Sequence, residues 1–377
     1  MSASTQSVVS ERVDELLSRC RRDVEEGVLP SCQVALAIDG EVVVEEAFGA
    51  ATTQTRYAVF SSTKPFVASV VWQLIAEGLV DPASRVVDYL PEFGTHGKDV
   101  ITVEQVMLHT SGFPAAPLGP PDWATSAGRR HVFERWRCNW EPGTRFEYHP
   151  TAAHWVLAEI ITEVTGQDFR DELQRRVTAP LGLPRVLGIA PADQHDIALL
   201  EVRGEPATAE ELEKAIGISN LPVTEVTDAA LLSFNHQDTR AVGVPGGGGI
   251  MRAADLALFY QALLHNREGL WPTDLLADVT GRVRNTFSDP MLGMSANRSL
   301  GLIVAGDDGK SNLRGMGHTV SPRAFGHNGA AGQIAWADPE TGLSFGYCTN
   351  GLDANILRQW RRGSAVASRA GLCASAV

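Results

Sequence analysis

Ser61 and Lys64, in the run Ser61-Ser62-Thr63-Lys64, are the residues of this 377-residue chain best suited to covalent chemistry. A serine hydroxyl is a weak nucleophile until a neighbouring base takes its proton. Three residues apart at the start of a helix, the two side chains share one side of a single turn, so the amine lies within reach of the hydroxyl. The lysine can serve as base only when neutral, which requires its pKa to fall well below the ordinary value of about 10.4. Burial and a nearby cation both push it that way. The plainer reading of the pair is a surface helix with an exposed lysine. Two later pieces, Tyr148 and His327-Asn328-Gly329, follow in an order that argues against it.

These residues need elements to hold them. Residues 65–75 predict a helix with an apolar face, fading at Gly78, and residues 8–27 an amphipathic helix with Val13, Leu16, Leu17 and Cys20 on one side. Two β-rich runs, 32–38 and 41–48, flank Asp39-Gly40, a strong hairpin signal. A short helix is expected over 100–109, stopped by Ser111-Gly112. Pro150 opens a long helix to about Val164, and a second covers 168–178. In 190–243 only 207–216 reads as a helix. Gly246-Gly247-Gly248-Gly249 predicts a flexible turn before a helix at 252–265. Strands are expected at 300–305, 332–337 and 343–349, then a closing helix at 353–369. Strands at both ends with helices between predict an α/β unit built from 1–70 and 245–377. Residues 71–244 are expected to form a mostly helical domain, with the active site between the two.

Composition narrows the partners. The formal net charge of −13 argues against nucleic acid and against an anionic membrane surface, and leaves a small-molecule substrate. The polar start, 1–7, has neither a basic segment nor an apolar one, and no run reaches membrane-span length. Five scattered cysteines contain no Cys-x-x-Cys. A cytoplasmic protein is expected. No G-x-S-x-G and no H-E-x-x-H occurs, and Gly309-Lys310-Ser311 lacks the glycine a phosphate loop needs at 304, which is Val. The ten histidines show no paired metal-ligand spacing. Neither metal nor cofactor is expected.

Five motifs occur in one order: Ser61-x-x-Lys64; His109-Thr110-Ser111-Gly112; Glu141-Pro142-Gly143-Thr144 followed by Tyr148; Gly247-Gly248-Gly249 before Ala254-Asp255-Leu256; and Gly326-His327-Asn328-Gly329. Together they resemble the serine β-lactamase / penicillin-binding-protein superfamily, in its class C β-lactamase-like branch that includes many esterases. The resemblance implies an α/β (α+β) fold, an antiparallel sheet flanked by helices plus a helical domain. It implies Ser61 as the acylated nucleophile, Lys64 as its base and Tyr148 as a proton relay. It also implies an oxyanion hole from the N–H groups of Ser61 and Ala330. His327, Asn328 and Gly329 would line the substrate, with Gly329 keeping the strand bare so that substrate lies close. His149 is either a pocket-mouth residue or a polar loop residue. The His109–Gly112 run and the glycine-rich turn are expected to be structural.

Two departures bear on the substrate. The family's Tyr-x-Asn reads Tyr148-His149-Pro150, and proline has no side-chain amide to hold an amide substrate. His327 stands where many members carry lysine, so a permanent cation becomes a titratable one. Both lean toward a carboxylic ester, hydrolysed or transesterified through an acyl-Ser61 intermediate. An amidase, peptidase or β-lactam hydrolase on the same machinery is the first alternative, and a non-catalytic binding module that keeps the fold is the second. The four tryptophans of 120–156 are either core or the wall of an apolar acyl pocket.

Overall fold

The structure, a computed structural model, describes residues 8–220 and 225–375; the polar start 1–7 lies outside the described residues. Its centre is a six-stranded antiparallel sheet. The strand order is Glu41–Gly49, Ser31–Ile38, Leu343–Thr349, Ile334–Asp338, Phe325–Gly326, Ile303–Val304. The first two strands form the expected hairpin: Asp39 and Gly40 both take positive φ, 52° and 79°. Two such residues give a turn whose twist matches the strands it joins.

Alternation along the strands sorts the two faces. Val34, Leu36, Ile334, Trp336, Phe345 and Tyr347 point to one side, where the helices Ser10–Glu25 and Ile356–Ala370 bury them with Leu16, Cys20, Val366 and Ala367. Register aligns this face across strands, pairing Val34 with Tyr347, Leu36 with Phe345 and Trp336 with Phe345. The other face is small: Ala35, Ala37, Ala335, Ala337 and Gly346. The helix Ala253–His265 lies against it so closely that a Cβ on Gly346 would strike the Ala253 carbonyl. This face is continuous with the helical core around Lys64–Ala76 and Ala152–Thr165.

Four expectations about elements are revised. The helix Lys64–Ala76 has no single apolar face; every residue from Lys64 to Leu74 is buried, so it is a central helix with core on all sides. The long helix begins at Ala152, which leaves the Pro150 carbonyl outside it. Of 300–305, only Ile303–Val304 pairs, because Gly301 (φ 101°) turns the chain just before; its neighbour Phe325–Gly326 was not read as a strand. Residues 190–243 also hold the helices Asp228–Leu232 and Gln237–Val242 and the short strand Glu201–Arg203. The five cysteines are free. Among the described residues no helix is long and apolar enough to cross a membrane.

Candidate active site

The strand Tyr57–Ala58 runs into Ser61. Arg56 donates to the Asp193 and His195 carbonyls, both at 2.6 Å, and the Tyr57 hydroxyl lies 3.0 Å from Ser31 Oγ, so the approach is tied on both sides. Phe60 then adopts φ 46°, ψ −129°. A bulky residue at positive φ costs on the order of 1–3 kcal/mol, and persists only where packing over-determines it. Here Phe60 is buried and meets Phe234 edge-on at 5.5 Å. The bend delivers Ser61 to the start of a 3-10 turn, Ser61–Thr63, that leads straight into the helix beginning at Lys64. Thr63 locks the turn: its hydroxyl donates to Phe60 O and accepts from Gly249 N.

Lys64 is fully buried, and its Nζ lies 3.2 Å from Ser61 Oγ and 2.6 Å from the carbonyl oxygens of both Pro150 and Gly246. A neutral amine has two N–H groups and one lone pair. The two carbonyls take the N–H groups, and the lone pair is left facing the serine hydroxyl. Burial, then the charge of Arg298, push the lysine's pKa well below its ordinary value, with Glu225 opposing. Pro150 has no side-chain amide, yet its main-chain oxygen holds the base. Gly246 does the same from the glycine run. That run is no flexible turn: Gly246 to Gly249 are all buried, and a Cβ on Gly246 would press on Pro150 O.

Tyr148 completes the cluster. Its ring centre is 4.9 Å from Lys64 Nζ, and the His109 and His327 rings lie at 4.9 and 6.0 Å. Its hydroxyl is buried and makes no hydrogen bond among the described residues. Burial pushes the phenol up to about 12. Arg298 pulls it back, as does the Ser61 hydroxyl, which lies outside hydrogen-bond geometry but close enough to favour the phenolate. At neutral pH Tyr148 is therefore a phenol, and the amine is the group able to accept a proton.

The remaining expected residues divide. His327 is buried; its Nδ1 donates to the Asn328 carbonyl at 2.9 Å, and its Nε2 lies 3.3 Å from Arg298 Nη1. A guanidinium can only donate, so Nε2 is an acceptor and the ring is neutral. Burial, then Arg298 and Lys64, hold its pKa well below the usual range. This corrects the expectation of a titratable cation at 327. Asn328, expected among substrate-binding residues, spends its amide on the protein: Nδ2 donates to Gly315 O at 2.6 Å and Oδ1 accepts from Ala335 N at 3.1 Å. His149 is likewise consumed. Its Nδ1 donates to Glu147 O, and its Nε2 faces Ser111 Oγ and accepts from Phe113 N. Burial takes its pKa to about 3, so it is a neutral strut under Tyr148 rather than a pocket-mouth residue. His109 joins the strut by accepting from His149 N, which makes His109–Gly112 a support for the tyrosine loop.

Gly329 has a task within the fold itself. A Cβ there would collide with the Val59 carbonyl oxygen, two residues before the nucleophile. Its bare Cα lets the 3-10 turn Ala330–Gly332 pack on the nucleophile's strand, and so brings Ala330 to that segment. Gly329→Ala is expected to cost about 1–3 kcal/mol through overpacking. Turnover should fall further than stability explains, since the displaced atom belongs to the Ser61 approach. Thermal denaturation beside ester turnover checks this; a variant with both unchanged would contradict it.

Sequence reading missed Arg298, Glu225 and the two carbonyls on Lys64. Glu225 accepts from Thr151 Oγ1 at 3.3 Å, and burial raises its pKa. Arg298 and Glu225 lie in no motif, and the two carbonyls belong to main chain, which side-chain motifs do not reveal. The tryptophans are core rather than pocket wall where they are buried: Trp155 in the central helical core, and Trp136 stacked on Phe113 at 5.6 Å. Among the described residues no three His, Cys, Asp or Glu side chains cluster as metal ligands.

Comparison with known proteins agrees with this architecture. The family model Beta-lactamase matches residues 11–366. The Esterase/beta-lactamase LipL of Mycobacterium tuberculosis (strain ATCC 25618 / H37Rv) is 26% identical over 358 residues, spanning 85% of this chain and 76% of LipL. A family VIII carboxylesterase superposes with a TM-score of 0.75 at 26% identity, covering 97% of this chain and 99% of the other. A penicillin-binding protein homolog from Caulobacter crescentus shares the fold with a TM-score of 0.76 at 24% identity, covering 95% and 96%. With the five motifs in order and a family match over nearly its whole length, the chain belongs to the Beta-lactamase family.

Proposed function

We propose that the protein is a serine hydrolase that transfers acyl groups through Ser61, acting on small carboxylic esters. The single observation that supports this most is the setting of Lys64, a buried amine with two carbonyl acceptors and its third direction on Ser61 Oγ at 3.2 Å.

The steps follow from that geometry. Ser61 Oγ bonds to the ester carbonyl carbon as its proton passes to Lys64 Nζ. The carbonyl oxygen becomes an oxyanion, for which the N–H groups of Ser61 and Ala330 are the donors; each such donor is worth roughly 10²–10³ in rate. The C–O bond to the alcohol then breaks, and the alkoxide takes the proton from Lys64 through the Tyr148 hydroxyl. Water adds to acyl-Ser61 by the same path in reverse, releasing the acid and restoring the serine; an alcohol in its place gives transesterification. An ester is favoured because Pro150 offers no side-chain amide to a substrate amide.

A fluorophosphonate should label the wild type and spare Ser61→Ala, and a short p-nitrophenyl ester should turn over faster than a chromogenic cephalosporin. Fast lactam turnover without ester cleavage would replace this reading with a lactam hydrolase. Labelling of neither protein would replace it with a binding module. The pH dependence is a further expectation. The working form has neutral Lys64, so kcat/KM rises with pH as the lysine loses its proton. The rise is complete well before the 10.5 of an ordinary lysine.

A further inference from the structure

Arg298 is buried, 8% exposed, in irregular chain just before the strand Ile303–Val304, its backbone paired to Asn285. Among the described residues the other buried arginines have oxygen partners: Arg129, Arg314 and Arg362 each meet a carboxylate at 2.6–2.8 Å, and Arg240 donates to Gln194 Oε1 and to the Phe234 and Asn235 carbonyls. Arg298 has no such partner among the described residues, and its Nε is buried with no hydrogen bond. A buried cation without a counter-ion is costly. Its surroundings are aromatic instead: the guanidinium carbon lies 5.0 Å from the Tyr148 ring centre and 5.2 Å from that of Phe146, and Nη1 donates to His327 Nε2 at 3.3 Å.

We propose that Arg298 is a positioning residue of the acyl-transfer machinery: stacked on Tyr148 and bonded to His327, it fixes the neutral Nδ1–H form of His327 and supplies the permanent positive charge of the site. The proposal rests on the reading of Ser61 and Lys64 as nucleophile and base. His327 stands where many relatives carry lysine, yet its ring is neutral. A permanent charge is instead carried by a residue 29 positions earlier, whose Nη1 reaches the histidine's Nε2. Arg298 and Lys64 each lie about 5 Å from the centre of one ring, so they are within about 10 Å of each other. At that range one charge opposes protonation of the other by about one pH unit. The same charge, over the tyrosine face, favours release of the phenolic proton during relay. The other titratable groups around it are Lys64, Tyr148, His109, His149, His154 and His327, with Asp289 and Glu225 as the acids that act on it or on its neighbours.

Two measurements on the full chain test this. The first needs no activity: ¹⁵N spectra of histidine-labelled wild type should show His327 protonated at Nδ1 and bare at Nε2 at neutral pH. A proton on Nε2, or on both nitrogens, overturns the proposal. The second is the pH profile of kcat/KM for an uncharged p-nitrophenyl ester. Arg298→Gln should move the acidic limb upward by about one unit, a tenfold loss below the limb, with KM held within about twofold. Arg298→Lys, which keeps the charge, should return the limb toward wild type. A limb unmoved in Arg298→Gln overturns the proposal, as does a defect confined to the KM of carboxylate-bearing esters, which would make Arg298 a substrate ligand. If Arg298→Gln fails to fold, the comparison of Arg298→Lys with wild type and the His327 spectrum still decide. Absence of fluorophosphonate labelling in the wild type would instead sink the acyl-transfer reading, and the tautomer result would stand apart from it.

Discussion

Lys64→Ala is expected to cut ester turnover as far as Ser61→Ala does, a loss of roughly 10⁴–10⁶-fold, and the double variant to be no worse than either. The reason is the absence of a substitute base. Four histidines surround the tyrosine, but three have committed lone pairs: His109 Nδ1 accepts from His149 N, His149 Nε2 from Phe113 N, and His327 Nε2 from Arg298. The fourth, His154, is buried, and among the described residues neither of its nitrogens makes a hydrogen bond, to Ser61 or to any other group. Burial also keeps each of the four neutral. Lys64→Arg should be as inactive, because a guanidinium cannot give up its proton to become a base. The pre-steady-state burst of p-nitrophenol reads acylation directly. More than a tenth of the wild-type burst rate in Lys64→Ala would remove Lys64 from the role of base.

What the sequence made legible was local. Ser61 and Lys64 declare themselves because one turn of helix is enough to bring them together, and Asp39-Gly40 fixes its hairpin because two residues settle the turn. What it concealed depends on chain distant in sequence. Nothing near residue 298 marks an arginine that meets Tyr148, 150 residues earlier. Asn328 looks like a substrate residue until the loop at Gly315 is seen to claim its amide. The glycine run reads as slack because glycine is permissive, whereas here its lack of side chains lets it wedge against Pro150 and Thr63. The helix after Ser61 reads as amphipathic only if one side is assumed to meet water; its apolar residues in fact face core in every direction. The strand Phe325–Gly326 has two residues, too few for a period-two pattern to appear.

Removal of one atom in Tyr148→Phe should separate proton relay from packing. The phenyl ring keeps the stacking with Arg298 and the contact with Lys64, so the fold and the desolvation of the lysine should survive. The deleted hydroxyl makes no hydrogen bond among the described residues, so its loss strands no buried partner there and stability should change little. What disappears is the route by which the proton on Lys64 reaches the departing oxygen. For an alkyl ester, whose alkoxide needs that proton to leave, kcat should fall by roughly 10²–10³-fold with KM nearly constant. For a p-nitrophenyl ester, whose phenolate departs unprotonated, acylation should fall far less, and the residual defect should sit in the attack of water on acyl-Ser61. Burst kinetics on the two substrates distinguish the cases. Equal losses in acylation on both would mean that the phenol acts on the nucleophile rather than on the leaving group, and would transfer to Tyr148 part of the role assigned to Lys64.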